Sequence, residues 1–202
     1  MKVLWRFLGQ KPDLRGLEKL PLAPGVADGP RPDDRRGFYE RVVAHEAPGA
    51  PEADGPYRRL ARAVRGYRIF PNRLVTGVLA RDPVEAGDTF GICYHFLPGI
   101  DLFFTGRVTD SFDGPGPSGV WRAGFTFQTV QGHPVLGEET FFVEKDAASG
   151  GVRVGLSNWS RAGTWLTWLA RPYLRWTQDR ASYAALDELA RVAAHAPASG
   201  GR

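Results

Sequence analysis

From Asn72 onward, apolar and polar positions alternate in short runs that are interrupted by turn chemistry. The segment RLVTGVLARDPVEAGDTFGICYHFLPGIDLFFTGRVTDSFDG is rich in β-branched and aromatic residues, and DPVEAGD, PGI and DGPGPSG break it. Period-two alternation gives a pleated strand one face for a core and one for solvent. The pattern therefore predicts strands near 74–80, 88–96, 101–110, 120–131, 138–145 and 152–159. Short turns between consecutive strands predict an antiparallel meander.

The period then lengthens. In PYLRWTQDRASYAALDELARVAAHA, residues Tyr173, Trp176, Tyr183, Leu186, Leu189 and Val192 recur at three- to four-residue steps. This predicts a long C-terminal helix, to about Ala196, with one apolar face. A shorter helix is predicted from Pro56 to Gly66, with Leu60, Ala61 and Val64 on one side and Arg58, Arg59, Arg62 and Arg65 mostly on the other. The sheet and the long helix each carry an apolar face that must be covered, so the predicted class is α+β, a curved antiparallel sheet wrapped around the C-terminal helix.

Residues 1–56 read differently. PLAPGVADGPRPDD and APGAPEADGP are rich in Pro and Gly and flank a short helical candidate, RRGFYERVVAHEA. The expectation is a partly ordered extension over 1–56, a single domain over 57–196 and a disordered tail over 197–202.

Composition narrows the function classes. At 202 residues, 43% apolar and 24% charged, the chain suits one globular domain and neither a disordered nor a fibrous protein. Its net charge of +4 is small, and 22 of its 26 cations are arginine, which suits either phosphate recognition or a GC-rich genome. No nucleic-acid partner is expected. The single cysteine, Cys93, excludes an internal disulfide and leaves too few thiols for a structural zinc site, so a reducing, cytoplasmic setting is expected. MKVLWRFLGQKPD is interrupted by Arg6 and followed by Pro12 and Asp13, so no signal peptide is expected, and without a run of about 18 apolar residues no stable membrane insertion is expected either. TWLTWLARPYLRWTQDR has the composition of an interfacial helix, but its proline and its place before the long helix favour core packing.

Candidate chemistry centres on TVQGHPVLGEETFFVE, residues 129–144. Alternation puts Glu138, Thr140, Phe142 and Glu144 on one side and Glu139, Phe141 and Val143 on the other. The second set is the better core face, so Glu139 is expected to point inward, toward Phe125 and Phe127 of the preceding strand and Val152, Val154 and Leu156 of the following one. A carboxylate there is costly unless paired or protonated, and His133 and Arg161 are the expected partners. Glu139 then reads either as a general acid or base, or a polar ligand anchor, or as a carboxylate that merely fixes the loop. A metal site around His133 would need further ligands such as His95 and Glu138, but no compact ligand spacing is present, so neither metal nor other cofactor is expected. Ser118, Ser157 and Ser160 lack a nucleophile elbow, Cys93 reads as a buried inert thiol, and GPGPSG lacks the lysine of a phosphate loop.

AGFTFQTVQGHPVLGEETFFVE and VGLSNWSRAGTWLTWLARPYLRWTQDRASYAAL resemble the uncharacterised domain-of-unknown-function family nineteen-ninety, a UPF-type bacterial and plant family. The likeness rests on Gly124, Phe125, Thr129, Gly132, His133, Pro134, Gly137, Glu138, Glu139, Phe141, Ser160, Arg161, Pro172 and Gln178, with YRIFPNRL and AGDTF upstream, over about residues 57–189. One departure is Ala162, where the family has proline. The resemblance implies a helix-grip, Bet v 1 or START-like architecture, whose members often hold an apolar ligand between sheet and helix and include cyclases and hydrolases. The implied pocket for a small apolar molecule or lipid is lined by Tyr94, Phe96, Phe104, Phe125, Phe127, Phe141, Trp165 and Trp176, with Glu138 and Gln178 as further contacts and Glu139, His133 and Arg161 as polar anchors. Two alternatives stand beside it: an enzyme using Glu139 and His133 as an acid/base pair, and a structural or interaction domain whose aromatics are core.

Overall fold

The computed structural model describes residues 1–163, 169 and 171–195. Among them one antiparallel sheet contains β1 (Lys2–Trp5), β2 (Arg35–His45), β3 (Val75–Val78), β4 (Thr89–Leu97), β5 (Ile100–Pro115), β6 (Val120–Thr129), β7 (Val135–Asp146) and β8 (Gly151–Ala162). The order is β2-β8-β7-β6-β5-β4-β3, and β1 pairs with the first residues of β5. From β3 to β8 every strand pairs with its successor, which is the expected meander. Helix α1 (Pro56–Arg65) and the long α2 (Arg171–Ala194) pack on the concave face.

The segment expected to be a helix, RRGFYERVVAHEA, is instead strand β2, added to the sheet edge beside β8 in register from Arg35↔Ser160 to His45↔Gly151. Its outward-facing Phe38 and Val42 are 63% and 58% exposed, so apolar residues occupy both faces, as an edge strand permits. The part of the extension that precedes β2 straps the convex face. Leu4 packs with Cys93 and Phe103, and Ala23 and Val26 pack with Trp159. Main-chain bonds hold the strap: Ala23 N–H donates to Thr129 O (2.9 Å) and Gln131 N–H to Pro21 O (2.9 Å).

The core on the concave face joins Phe90, Phe125, Phe127, Phe141, Val143, Val152, Val154 and Leu156 of the sheet to Leu60 and Val64 of α1 and Leu186 and Leu189 of α2. The buried stripe of α2 is Ser182, Ala185, Leu186, Leu189 and Ala193. The expected stripe holds in its second half only: Tyr173, Trp176 and Tyr183 are 51%, 55% and 56% exposed. At about 100° per residue, Trp176 and Tyr183 fall to the side of this stripe and Tyr173 falls opposite it.

At the far end from the motif, Lys145 and Glu46 form a fully buried ion pair (3.1 Å). Its remaining valences are met: Lys145 Nζ donates to Ala47 O (2.9 Å) and Ala50 O (3.0 Å), and Glu46 accepts from Tyr57 N–H (2.7 Å). The N-cap of α1 is Gly55, which has no side chain to offer, so Glu46 supplies the negative charge at that helix start from outside.

Candidate functional site

The motif GHPVLGEE divides its labour along the β6–β7 connection and the start of β7. Gly132 turns the chain with φ +85°. The ring of His133 donates Nδ1–H to Val135 O (2.6 Å) and stands edge-on to Phe104, with centroids 4.9 Å apart. Burial lowers its pKa to about 4 against the opposing pull of that hydrogen bond, so the imidazole is neutral at physiological pH. Gly137 lies where β7 and β8 approach too closely for a side chain: a Cβ would meet Trp159 O at 2.2 Å.

Glu138 and Glu139 leave β7 in opposite directions, as alternation requires. Glu138 faces the convex side, where its Oε2 accepts from Gln128 Nε2 (2.8 Å). There it borders a cavity of about 260 Å³ together with Arg36, Thr140, Ser157 and Trp159. Glu139 faces the concave side between Phe127 of β6 and Asn158 of β8. Burial raises its carboxyl to about 7, partly offset by a hydrogen bond from the Asn158 side chain. Neither expected partner neutralises it.

Arg161 pairs with Leu136 across β8 and β7, and so lies on the face opposite Glu139. Its guanidinium binds Asp34 Oδ2 (3.1 Å) and Gly29 O (2.7 Å) and covers the Trp159 ring, which fixes the N-terminal strap rather than an interior site. His133 is likewise engaged with Val135 and Phe104, and no bond joins it to Glu139 among the described residues. Strand parity thus separates Arg161 from Glu139, while His133, in the connection before β7, is held by Val135 and Phe104.

Sequence reasoning misses Tyr67, a buried phenol that feels the Glu139 charge. Tyr67 adopts φ 52° after α1 and lays its ring on Phe90 (4.9 Å), Phe141 (6.0 Å) and Phe125 (6.2 Å). Burial first, and then the Glu139 charge, raise its phenol well above the ordinary value. Phe70 follows on the same loop and meets Phe141 edge-on at 5.8 Å. Both belong to the YRIF segment, whose family likeness is the one signal that points to it and does not by itself assign a role.

Phe125, Phe127 and Phe141 line the concave face as expected, all buried, and Phe104 lies partly buried beside His133. Tyr94 stands half-buried toward α2, with its phenol raised first by burial and then by Tyr173. Phe96 is 37% exposed at the end of β4, and Trp176 lies outside the interior lining, with Arg180 over its ring. Trp165 lies outside the described residues. Gln178 accepts from Arg35 Nη1 (2.6 Å), and Asp179 receives both Arg35 and the Tyr39 hydroxyl. This network exists only because β2 is a strand rather than a helix, and it fastens α2 over the edge of the concave face.

An eight-stranded antiparallel sheet gripping a long C-terminal helix defines the helix-grip class. Within it, the chain belongs to the family described as Domain of unknown function (DUF1990), matched over residues 27–188. The match begins upstream of the motifs that carry the resemblance and takes in β2. The chain is similar to a UPF0548 protein of Deinococcus radiodurans, 30% identical over 162 residues, which are 76% of each chain. It is also 25% identical over 130 residues to a UPF0548 protein of Dictyostelium discoideum, covering 61% of this chain and 60% of that one. Among solved structures, a hypothetical protein from Helicobacter pylori aligns with TM-score 0.51 and 14% identity over 79% of this chain and 88% of that one, a likeness of fold alone.

Proposed function

We propose that the protein binds a small, largely apolar molecule or lipid on the concave face between the sheet and the first half of α2, with Glu139 as its polar anchor. The observation that carries this reading is a carboxyl held near pKa 7 on a face of phenylalanines, partnered by the Asn158 side chain instead of a cation. Such a group donates a hydrogen bond when protonated and accepts one when ionised, and it fixes the orientation of a ligand whose bulk is apolar. Among the described residues no helix is long and apolar enough to cross a membrane. A cytoplasmic setting belongs to the same proposal and is supported by the lone, buried Cys93.

The test is native mass spectrometry of protein purified without denaturation, together with displacement of an apolar fluorescent probe. The expected outcome is a co-purifying small molecule, with probe binding weakened by Glu139→Ala and less so by Glu139→Gln. Absence of both a bound molecule and probe binding would overturn the proposal. A second reading, an enzyme, is favoured by the same titration, since a carboxyl near 7 is suited to proton transfer at neutral pH. In that reading Glu139 acts with Tyr67 nearby, while His133 serves only to shape the wall.

A further inference from the structure

On the convex face, away from Glu139, the β4–β5 hairpin brings together a thiol, an imidazole and a carboxylate. Cys93 and His95 are two residues apart on β4 and share a face, and Asp101 pairs directly across from His95. His95 Nδ1 lies 2.9 Å from Asp101 Oδ1, Cys93 Sγ lies 3.7 Å from Asp101 Oδ2, and one donor atom of each residue falls within 4.8 Å of the others. A zinc ion bound about 2.0–2.3 Å from each donor holds its ligands roughly 3–4 Å apart, which these side chains reach with small rotations.

We propose that Cys93, His95 and Asp101 form a binding site for a thiophilic divalent cation of the zinc class. The S, N, O donor set selects that class over magnesium or calcium, which take oxygen donors. Thr76 Oγ1 lies 3.5 Å from His95 Nε2, on the ring nitrogen left over when Nδ1 ligates, and so orients the imidazole. Leu4 and Phe103 wall the thiol from solvent on one side. Arg6 Nε stands 3.2 Å from Asp101 Oδ1 with its side chain 48% exposed, so a cation already balances this carboxylate from a position that can be vacated to solvent. Metal binding displaces the guanidinium and releases the thiol proton to water, leaving thiolate, neutral imidazole and carboxylate around the ion.

The full chain should bind one equivalent of Zn²⁺ in competition with a chromophoric chelator. With Co²⁺ it should develop a near-ultraviolet thiolate-to-cobalt charge-transfer band, and because Cys93 is the sole cysteine that band reports this residue alone. Cys93→Ala should abolish the band, His95→Ala should weaken Zn²⁺ binding about tenfold or more, and Arg6→Ala should tighten it. Lack of stoichiometric binding, binding undiminished in Cys93→Ala and His95→Ala, or weaker binding in Arg6→Ala would each overturn the proposal. If the buried Cys93→Ala variant fails to fold, as read by circular dichroism, the cobalt spectrum of the unaltered chain decides: its thiolate band supports the site and its absence rejects it.

Discussion

Glu139 of β7 and Asn158 of β8 are direct cross-strand partners on the concave face, and the Asn158 amide donates to the Glu139 carboxyl. An amide stabilises the ionised carboxyl far less than an arginine would, so burial dominates and the group stays protonated up to about pH 7. The site therefore holds a switchable donor among aromatics, where a salt bridge would have left a fixed charge.

That balance makes stability depend on pH in a defined direction. The folded-state carboxyl titrates at about 7 against an ordinary value of 4.5, so the folded chain holds a proton that the unfolded chain has lost. The associated stabilisation is full below about 4.5 and disappears as pH rises through 7. Glu139→Gln keeps the shape and removes the titration. In urea unfolding from about pH 5 to about pH 8, the wild-type chain should lose roughly 1–3 kcal/mol relative to this variant. Parallel pH profiles for the two proteins would contradict the assignment.

The alternation that exposes the meander also gives the inward direction of Glu139, because both follow from local sequence parity. The same parity, carried on from Val152, Val154 and Leu156, turns Arg161 outward, but the predicted strand stops at 159 and the real one runs on to Ala162, so Arg161 lies beyond the reach of that reading. Strand β2 escapes for a different reason: Phe38 and Val42, and likewise Tyr39 and Val43, stand four apart and imitate a helical stripe. An edge strand leaves one of these pairs in solvent, which no local pattern reports. The approach of Tyr67 to Glu139 joins residues far apart in sequence and arises only when the loop after α1 folds over the sheet.

Because Arg35, Tyr39, Gln178 and Asp179 fasten α2 to β2, they should govern how readily the concave face opens. The Tyr39 hydroxyl is pushed up to about 12, first by burial and then by Asp179, and the Asp179 carboxyl is lowered, first by the Tyr39 hydrogen bond. Tyr39→Phe and Asp179→Asn should each cost about 0.5–1.5 kcal/mol. Their combined cost should fall short of the sum, since they remove one shared bond. Amide hydrogen exchange should accelerate in the first turns of α2 while β6 and β7 remain protected. Unchanged exchange in α2 would show that the helix is held by its apolar stripe alone.

Gly137, two residues before Glu139 on the same face, offers the sharpest test of why the motif contains glycine. A Cβ at this position would lie 2.2 Å from Trp159 O and 3.1 Å from Ser160 Cα. Both obstacles are backbone, so no rotamer change relieves them and β7 must separate from β8 where Gly137 pairs with Ser160. Gly132 differs: its φ of +85° strains an added side chain, but the nearest atom to an added methyl is Met1 N at 3.7 Å. Gly137→Ala should therefore cost at least about 2 kcal/mol as overpacking, and Gly132→Ala about 1 kcal/mol as conformational strain. Thermal and urea unfolding of the two variants would measure the difference. Because the displaced strand also carries Glu139, binding of an apolar probe should fall in Gly137→Ala and survive in Gly132→Ala; equal behaviour of the two would mean that the close approach of β7 and β8 does not position the carboxyl.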